Sequence, residues 1–210
     1  MRNSHYFSGL WISFTLFMCL SFIPLILNAQ VQVNGTFTDI RDAHVYHWVK
    51  EGKQVWMTGN LTFNAPVGSW AYNDDSVNEV NFGRLYSWKA ALTSCPKGWH
   101  LPTDKEWGIL IQTFGGDSIA GLKMQNMDTI GKSKGIPGVV HPAVESTLLS
   151  GIRHADGSCI GLNLWGGCWT ADKVNDTIAK NVLFIRRSNE LGLSTNDKNS
   201  GFSVRCVRNK

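Results

Sequence analysis

No run of lysine or arginine occurs in these 210 residues, and only 17% of them are charged. A formal charge of +4, without clustering, does not build a face that tracks phosphates, so nucleic acid is not expected as a partner. The chain also lacks a glycine-rich phosphate loop, a serine nucleophile elbow and a twelve-residue calcium loop. Its six histidines show no HxxxH pair and no cysteine–histidine spacing of the kind that holds zinc. No internal repeat of 20 to 50 residues and no low-complexity linker divides it. These absences favour one domain without an evident cofactor or metal, and they weaken the case for an enzyme.

What the chain does have begins with an apolar N-terminus. Arg2 supplies a positive charge, residues 7–27 carry none, and Ala29 stands where a signal peptidase would cut. Residues 1–29 therefore read as a signal peptide and 30–210 as the mature domain. The exported protein is expected to be secreted or held at the cell surface, with no stable membrane span after cleavage. Loss of Arg2 lowers the formal charge only from +4 to +3. Cys19 leaves with the signal, and Cys95, Cys159, Cys168 and Cys206 remain. Four cysteines in an exported chain point to two disulfides, with three connectivities open.

Hydrophobic residues make up 43% of the chain, enough for a sizeable core, and nine tryptophans with 21 glycines suit a loop-rich fold pinned by large aromatics. Residues 44–57, "HVYHWVKEGKQVWM", predict two short strands around a turn at Gly52. "YNDDSVNE" reads as a polar loop. Residues 83–92 place Leu85, Trp88 and Leu92 at helical spacing. A second helix starts after Pro102, where Thr103 and Glu106 form a capping box. Trp107, Leu110, Ile111 and Phe114 give it an apolar face, and Gly115-Gly116 stop it. "DSIAGLKMQNM" reads as a third short helical piece. Beyond residue 140 come short strands and turns, "TLLSGIR", "GCWTA", "KNVLFIRR" and "GFSVRCV". In the last of these, Phe202, Val204 and Cys206 alternate with Ser203, Arg205 and Val207. The expectation is an α+β domain: an irregular antiparallel sheet, two main helices and long loops.

Five segments in order, "TDIRDAHVYHWVKEGKQVWMTGNL", "FGRLYSWKAAL", "CPKGWHLPTDKEW", "LLSGIR" and "GFSVRCVRN", closely resemble the Fibrobacter succinogenes major paralogous domain over about residues 36–209. The resemblance implies a bacterial, exported protein with a C-type lectin-like fold, in which the N- and C-terminal strands meet and a long loop region projects from the sheet. It also implies that Cys95, ending the first helix, pairs with Cys206 in the last strand, leaving Cys159 to pair with Cys168. A bridge closing more than a hundred residues stabilises by roughly 4 kcal/mol in the chain-entropy view. "LPTDKEW" with "GIR" is similar, more weakly, to formylglycine-generating enzymes, but the motif around their reactive cysteine pair is missing here.

Calcium-dependent sugar binding would draw its oxygen ligands from "YNDDSVNE" or from Asp172, Asn175 and Asp176; neither set follows a calcium loop, and the Glu-Pro-Asn and Trp-Asn-Asp signatures of sugar-binding lectins are absent. No metal and no catalytic residue is assigned. Trp70 and Trp165, in the glycine-rich stretches "VGSWAY" and "LWGGCW", are the candidate ligand-binding residues, because exposed rings stack on sugars or anchor protein contacts. Their other reading is as wedges between loop and sheet. The expected function is a non-enzymatic recognition or surface-associated domain. It would meet a glycan or another surface protein through loops 64–80 and 156–176. The alternatives are an enzyme on the same scaffold acting on polysaccharide, and a structural envelope component.

Overall fold

The computed structural model describes residues 34–127 and 146–209. The expected signal segment, with Cys19, lies outside them. The elements in order are β1 (Asn34–Thr38), β2 (Val45–Glu51), β3 (Gln54–Met57), β4 (Ser69–Trp70), α1 (Ser76–Phe82), β5 (Leu85–Tyr86), α2 (Trp88–Ser94), α3 (Asp104–Thr113), α4 (Asp117–Met127), β6 (Ser150–Arg153), β7 (Cys159–Leu162), β8 (Trp165–Lys173), β9 (Ile178–Ile185), β10 (Leu191–Asp197) and β11 (Val207–Asn209). The fold is α+β, with four α-helices among the described residues. No helix there is long and apolar enough to cross a membrane.

The predicted hairpin is β2–β3, turning at Gly52, whose φ of 58° suits a residue without a Cβ. It is the middle of a four-stranded sheet ordered β1-β2-β3-β11, so the last strand lies beside the first hairpin. A second sheet, ordered β10-β9-β8-β6-β7, is mixed rather than purely antiparallel, because β6 and β8 run parallel. Alternation along its strands feeds two cores. Cys168, Val182 and Phe184 face one with Trp56, Trp107, Leu110 and Met124. Trp169, Ala179 and the half-buried Leu183 face the other with Met57, Tyr86 and Phe202.

The helix at 83–92 starts later than expected, at Trp88, because Ser87 accepts from the Ala90 amide as its cap. Leu85 instead joins a two-strand ladder with Trp70, and Leu92 is exposed. "YNDDSVNE" is not a loop: Asp75 caps α1 by accepting from Val77 N. Val77 and Val80 face outward, so no apolar period announced this helix. The capping box is present as expected, with Glu106 N bonded to Thr103 Oγ1 and Thr103 N bonded to Glu106 Oε2. Trp107, Leu110 and Ile111 are buried.

"GFSVRCV" is corrected most. Only Val207 of it belongs to a strand; Gly201–Ser203 make isolated bridges to Arg153, Tyr86 and Cys168. Every residue from Gly201 to Val207 is buried, so the alternation does not mark a wet face, and Arg205 is wholly inside. Its Nη2 donates to Asn60 Oδ1 at 3.2 Å and Thr147 Oγ1 at 2.9 Å. Asn60 Nδ2 in turn lies 2.9 Å from Phe82 O, 2.6 Å from Thr147 O and 3.1 Å from Ser203 Oγ.

Cys95 is bonded to Cys206, 111 positions further along the chain, with Cα atoms 5.9 Å apart. Cys159 and Cys168 do not pair with each other. They lie on β7 and β8, and β6 runs between those strands. Two strand spacings separate them by roughly 10 Å, beyond the span of a disulfide.

Glu106 also accepts from His100 Nε2 at 2.7 Å and Asn209 Nδ2 at 3.2 Å, joining the helix cap to β11. Burial pushes its carboxyl up, but the bonds from the Thr103 backbone and the His100 ring outweigh this, and its pKa is lowered from 4.5. A lowered folded-state pKa gives stability that is present above the unfolded value and lost as pH falls through the folded one. Glu106→Gln, which keeps the capping geometry, should therefore be less stable than wild type at neutral pH. The gap should close as pH drops below about 4.5, read as urea midpoints across pH. In the core, Asn60→Ala should lower the unfolding free energy by about 3 kcal/mol, measured by urea denaturation at pH 7.

Candidate functional site

Two adjoining depressions of about 150 and 320 Å³ share His44, Thr62 and Val80 and form one cleft between the first sheet and α1. The β1–β2 turn makes one wall. The buried Asp39 carboxylate accepts from Arg41 Nε and Nη2, and Arg41 also donates to Ser94 O and lies 3.7 Å from the Phe63 ring. The side-chain bond from Arg41 is the main reason the Asp39 pKa is lowered. Asp42 Oδ1 accepts from the His44 amide, tightening the turn that sets both side chains on the cleft. Tyr46 OH bonds Thr62 Oγ1 at 2.8 Å and accepts from Thr62 N at 3.0 Å, fixing the opposite strand end.

The other wall is α1. Glu79 pairs with Arg84, Asn78 donates to Tyr72 O, and Val80 stands 74% exposed at the rim. The chain leaves this helix through Gly83, with φ 77°; a Cβ there would lie 2.9 Å from both Asn60 Cβ and Leu61 O. Glycine lets the helix end close against Asn60, which with Thr147 borders the inner end of the cleft. Behind the first wall, His44, Tyr46, Phe37 and Trp99 form a continuous ring series with centroid spacings of 4.5, 5.4 and 4.8 Å, and Arg208 covers Trp99. The result is a rigid, mixed surface: carboxylates of Asp42 and Glu79, imidazoles of His44 and His47, the Asn64 amide and the Val80 methyls.

The profile of the Fibrobacter succinogenes major domain matches residues 49–208. The chain belongs to this family. No curated protein and no solved structure matches it. The family's match covers the Asn60–Arg205 network, both bridged cysteines and the α1 wall of the cleft, whereas Asp42, His44 and His47 precede it.

In this family member the sequence-predicted residues fall elsewhere. Trp70 and Trp165 are half-buried and do not line the cleft. Arg153 lies 4.2 Å over the Trp70 ring, and Gly201 packs beside it. Trp165 lies on the Gly161 backbone and pairs with Ile185 across β8–β9. No ring contact joins the two among the described residues. Loop 64–80 does reach the cleft, through Asn64 and Glu79; loop 156–176 does not. The polar side chains of the two calcium-candidate segments are engaged in separate places: Asp75 caps α1, Asn175 accepts from the Thr177 and Ile178 amides of its own turn, and Asp172 Oδ2 accepts from Asp104 N, 68 residues away on α3. Among the described residues no three His, Cys, Asp or Glu side chains gather as a metal site. Sequence reasoning passed over His44, His47, Asn60, Thr62 and Asn64. The available signal was the Asp-x-His turn before the hairpin, which fixes one wall but not what faces it.

Gly161 has φ 83°, and a Cβ there would collide with the Trp165 ring. Gly161→Ala should cost about 2 kcal/mol or more and shift tryptophan emission toward the solvent-exposed value, read by denaturation and fluorescence.

Proposed function

We propose that this protein is an exported, non-enzymatic recognition domain that binds a glycan in the cleft between the β1–β2 turn and α1. The observation that carries the reading is the convergence of Asp42, His44, Thr62, Asn64, Glu79 and Val80 on one depression. Sugars present alternating donors and acceptors around an apolar ring face. Carboxylate, amide, hydroxyl and imidazole groups beside an exposed valine complement them. Asp42 is bonded in its turn, Thr62 to Tyr46, Asn64 to Ser69 and Glu79 to Arg84, so these side chains lose less freedom on binding. Export is supported by the apolar N-terminus and by the disulfide. A C-type lectin-like reading of the fold is supported by the meeting of β11 with the N-terminal hairpin and by the bridge from the end of α2 to Cys206.

Two carboxylates facing one cleft also favour the polysaccharide-cleaving alternative. Both are engaged, however: Asp42 in its turn and Glu79 with Arg84. A proton-donating acid needs the opposite environment, apolar and without a cation.

A panel of immobilised glycans tests this. Wild type should retain one glycan class without releasing reducing ends, and His44→Ala and Asn64→Ala should each weaken retention by about tenfold. Retention that is unchanged in both variants overturns the cleft. If Trp70→Ala and Trp165→Ala abolish it instead, recognition belongs to the loop face. Steady release of reducing ends overturns the non-enzymatic reading.

A further inference from the structure

A separate groove of about 410 Å³ lies between the start of α3 and the edge strand β10, lined by Asp104, Lys180, Leu193, Ser194 and Thr195. It shares no residue with the cleft described above. Its polar groups are placed by long-range contacts. The β8 ladder is irregular between Trp169 and Lys173, and in that stretch Asp172 offers Oδ2 to the Asp104 amide at 2.7 Å. An acidic residue from another strand thus serves the first turn of α3. Asp104 itself turns its carboxylate to Lys180, whose Nζ is 2.6 Å from Oδ2. That bond, with Asp172 nearby, raises the Lys180 pKa, so the ammonium is fully charged at neutral pH.

The pair leaves binding capacity over. An ammonium has three N–H donors, one of which serves Asp104, and the Lys180 side chain is 43% exposed. The Asp104 side chain is 25% exposed. Thr195 is the cross-strand partner of Lys180 and shares its face with Leu193, whereas Ser194 lies on the opposite face of β10 beside Asn181. Leu193 is 70% exposed. The groove therefore offers spare cationic donors, a carboxylate acceptor, the Thr195 hydroxyl, which acts either way, and an apolar shelf.

We infer that this groove is a second ligand site, one that takes a neutral vicinal diol of the kind carried by a pyranose ring. One ligand hydroxyl accepts from Lys180, its neighbour donates to Asp104, and the C–H face of the ring covers Leu193. Two acids against one lysine disfavour an anion, and the lysine disfavours an amine. The inference stands independently of the cleft, because each site has its own residues and reporters.

The test is an amide NMR titration of the protein with methyl β-glucopyranoside, methyl α-mannopyranoside and glucuronate. The two neutral glycosides should shift the amides of residues 193–195 saturably, and glucuronate should bind more weakly. Lys180→Met and Leu193→Ser should each weaken that binding by about tenfold while leaving the amides of His44 and Asn64 as they are in wild type. Absence of saturable shifts at residues 193–195, stronger binding of glucuronate, or affinity unchanged in both variants would overturn the site. Shifts confined to residues 193–195 would support this groove and leave the cleft to the glycan panel; shifts confined to residues 42–64 would overturn this groove and support the cleft.

Discussion

The buried carboxamide of Asn60 is the contact on which the rest of the structure turns. One side chain bonds the end of α1 through Phe82 O, the turn before β6 through Thr147 O, and the final segment through Ser203 and Arg205. These partners are 22, 87, 143 and 145 residues away along the chain. Unmade hydrogen bonds inside a protein are expensive, so this group locks four segments into one arrangement. Ser150 extends the network by bonding Ser203 at 2.8 Å. The network also holds the guanidinium of Arg205, which could not be buried without oxygen acceptors.

The cleft inherits its shape from that knot. Asn60 and Thr147 border it, and Gly83 brings α1 against Asn60. The opposite wall is fixed separately, by the Asp39–Arg41 fork and the stacked rings of the first sheet. The Cys95–Cys206 bridge ties α2 to the segment carrying Arg205, and the His100–Val207 backbone pair continues the tie into β11. Disulfide, buried network and helix cap therefore act on the same few residues at the C-terminus.

The segment "CPKGWHLPTDKEW" was legible because its interactions are short. Thr103 and Glu106 are three residues apart, and Trp107, Leu110 and Ile111 follow helical spacing. The β2–β3 turn was legible for the same reason. α1 was not: its outward valines carry no core-facing period, and its cap resembles any polar turn. The burial of Arg205 was not legible either, because alternation along a segment does not say whether either side is open to water, and here every residue from Gly201 to Val207 is buried. Trp70 and Trp165 were found as glycine-flanked aromatics, but the sequence did not show that Arg153 lies over one and that Gly161 lies under the other.

The sequence alone determined the local pieces: the hairpin, the capped helix with its apolar face, the family and the likeness that paired Cys95 with Cys206. Each depends on residues within a few positions of one another or on a pattern held in order along the chain. Tertiary structure alone decided the order of strands, and with it the separation of Cys159 from Cys168 by β6. It also decided that residues 42–47, 58–64 and 79–83 share a cleft, and that Lys180 meets Asp104. Those are outcomes of how the two cores pack against a sheet covered on both faces, and no local spacing encodes which buried surfaces will meet.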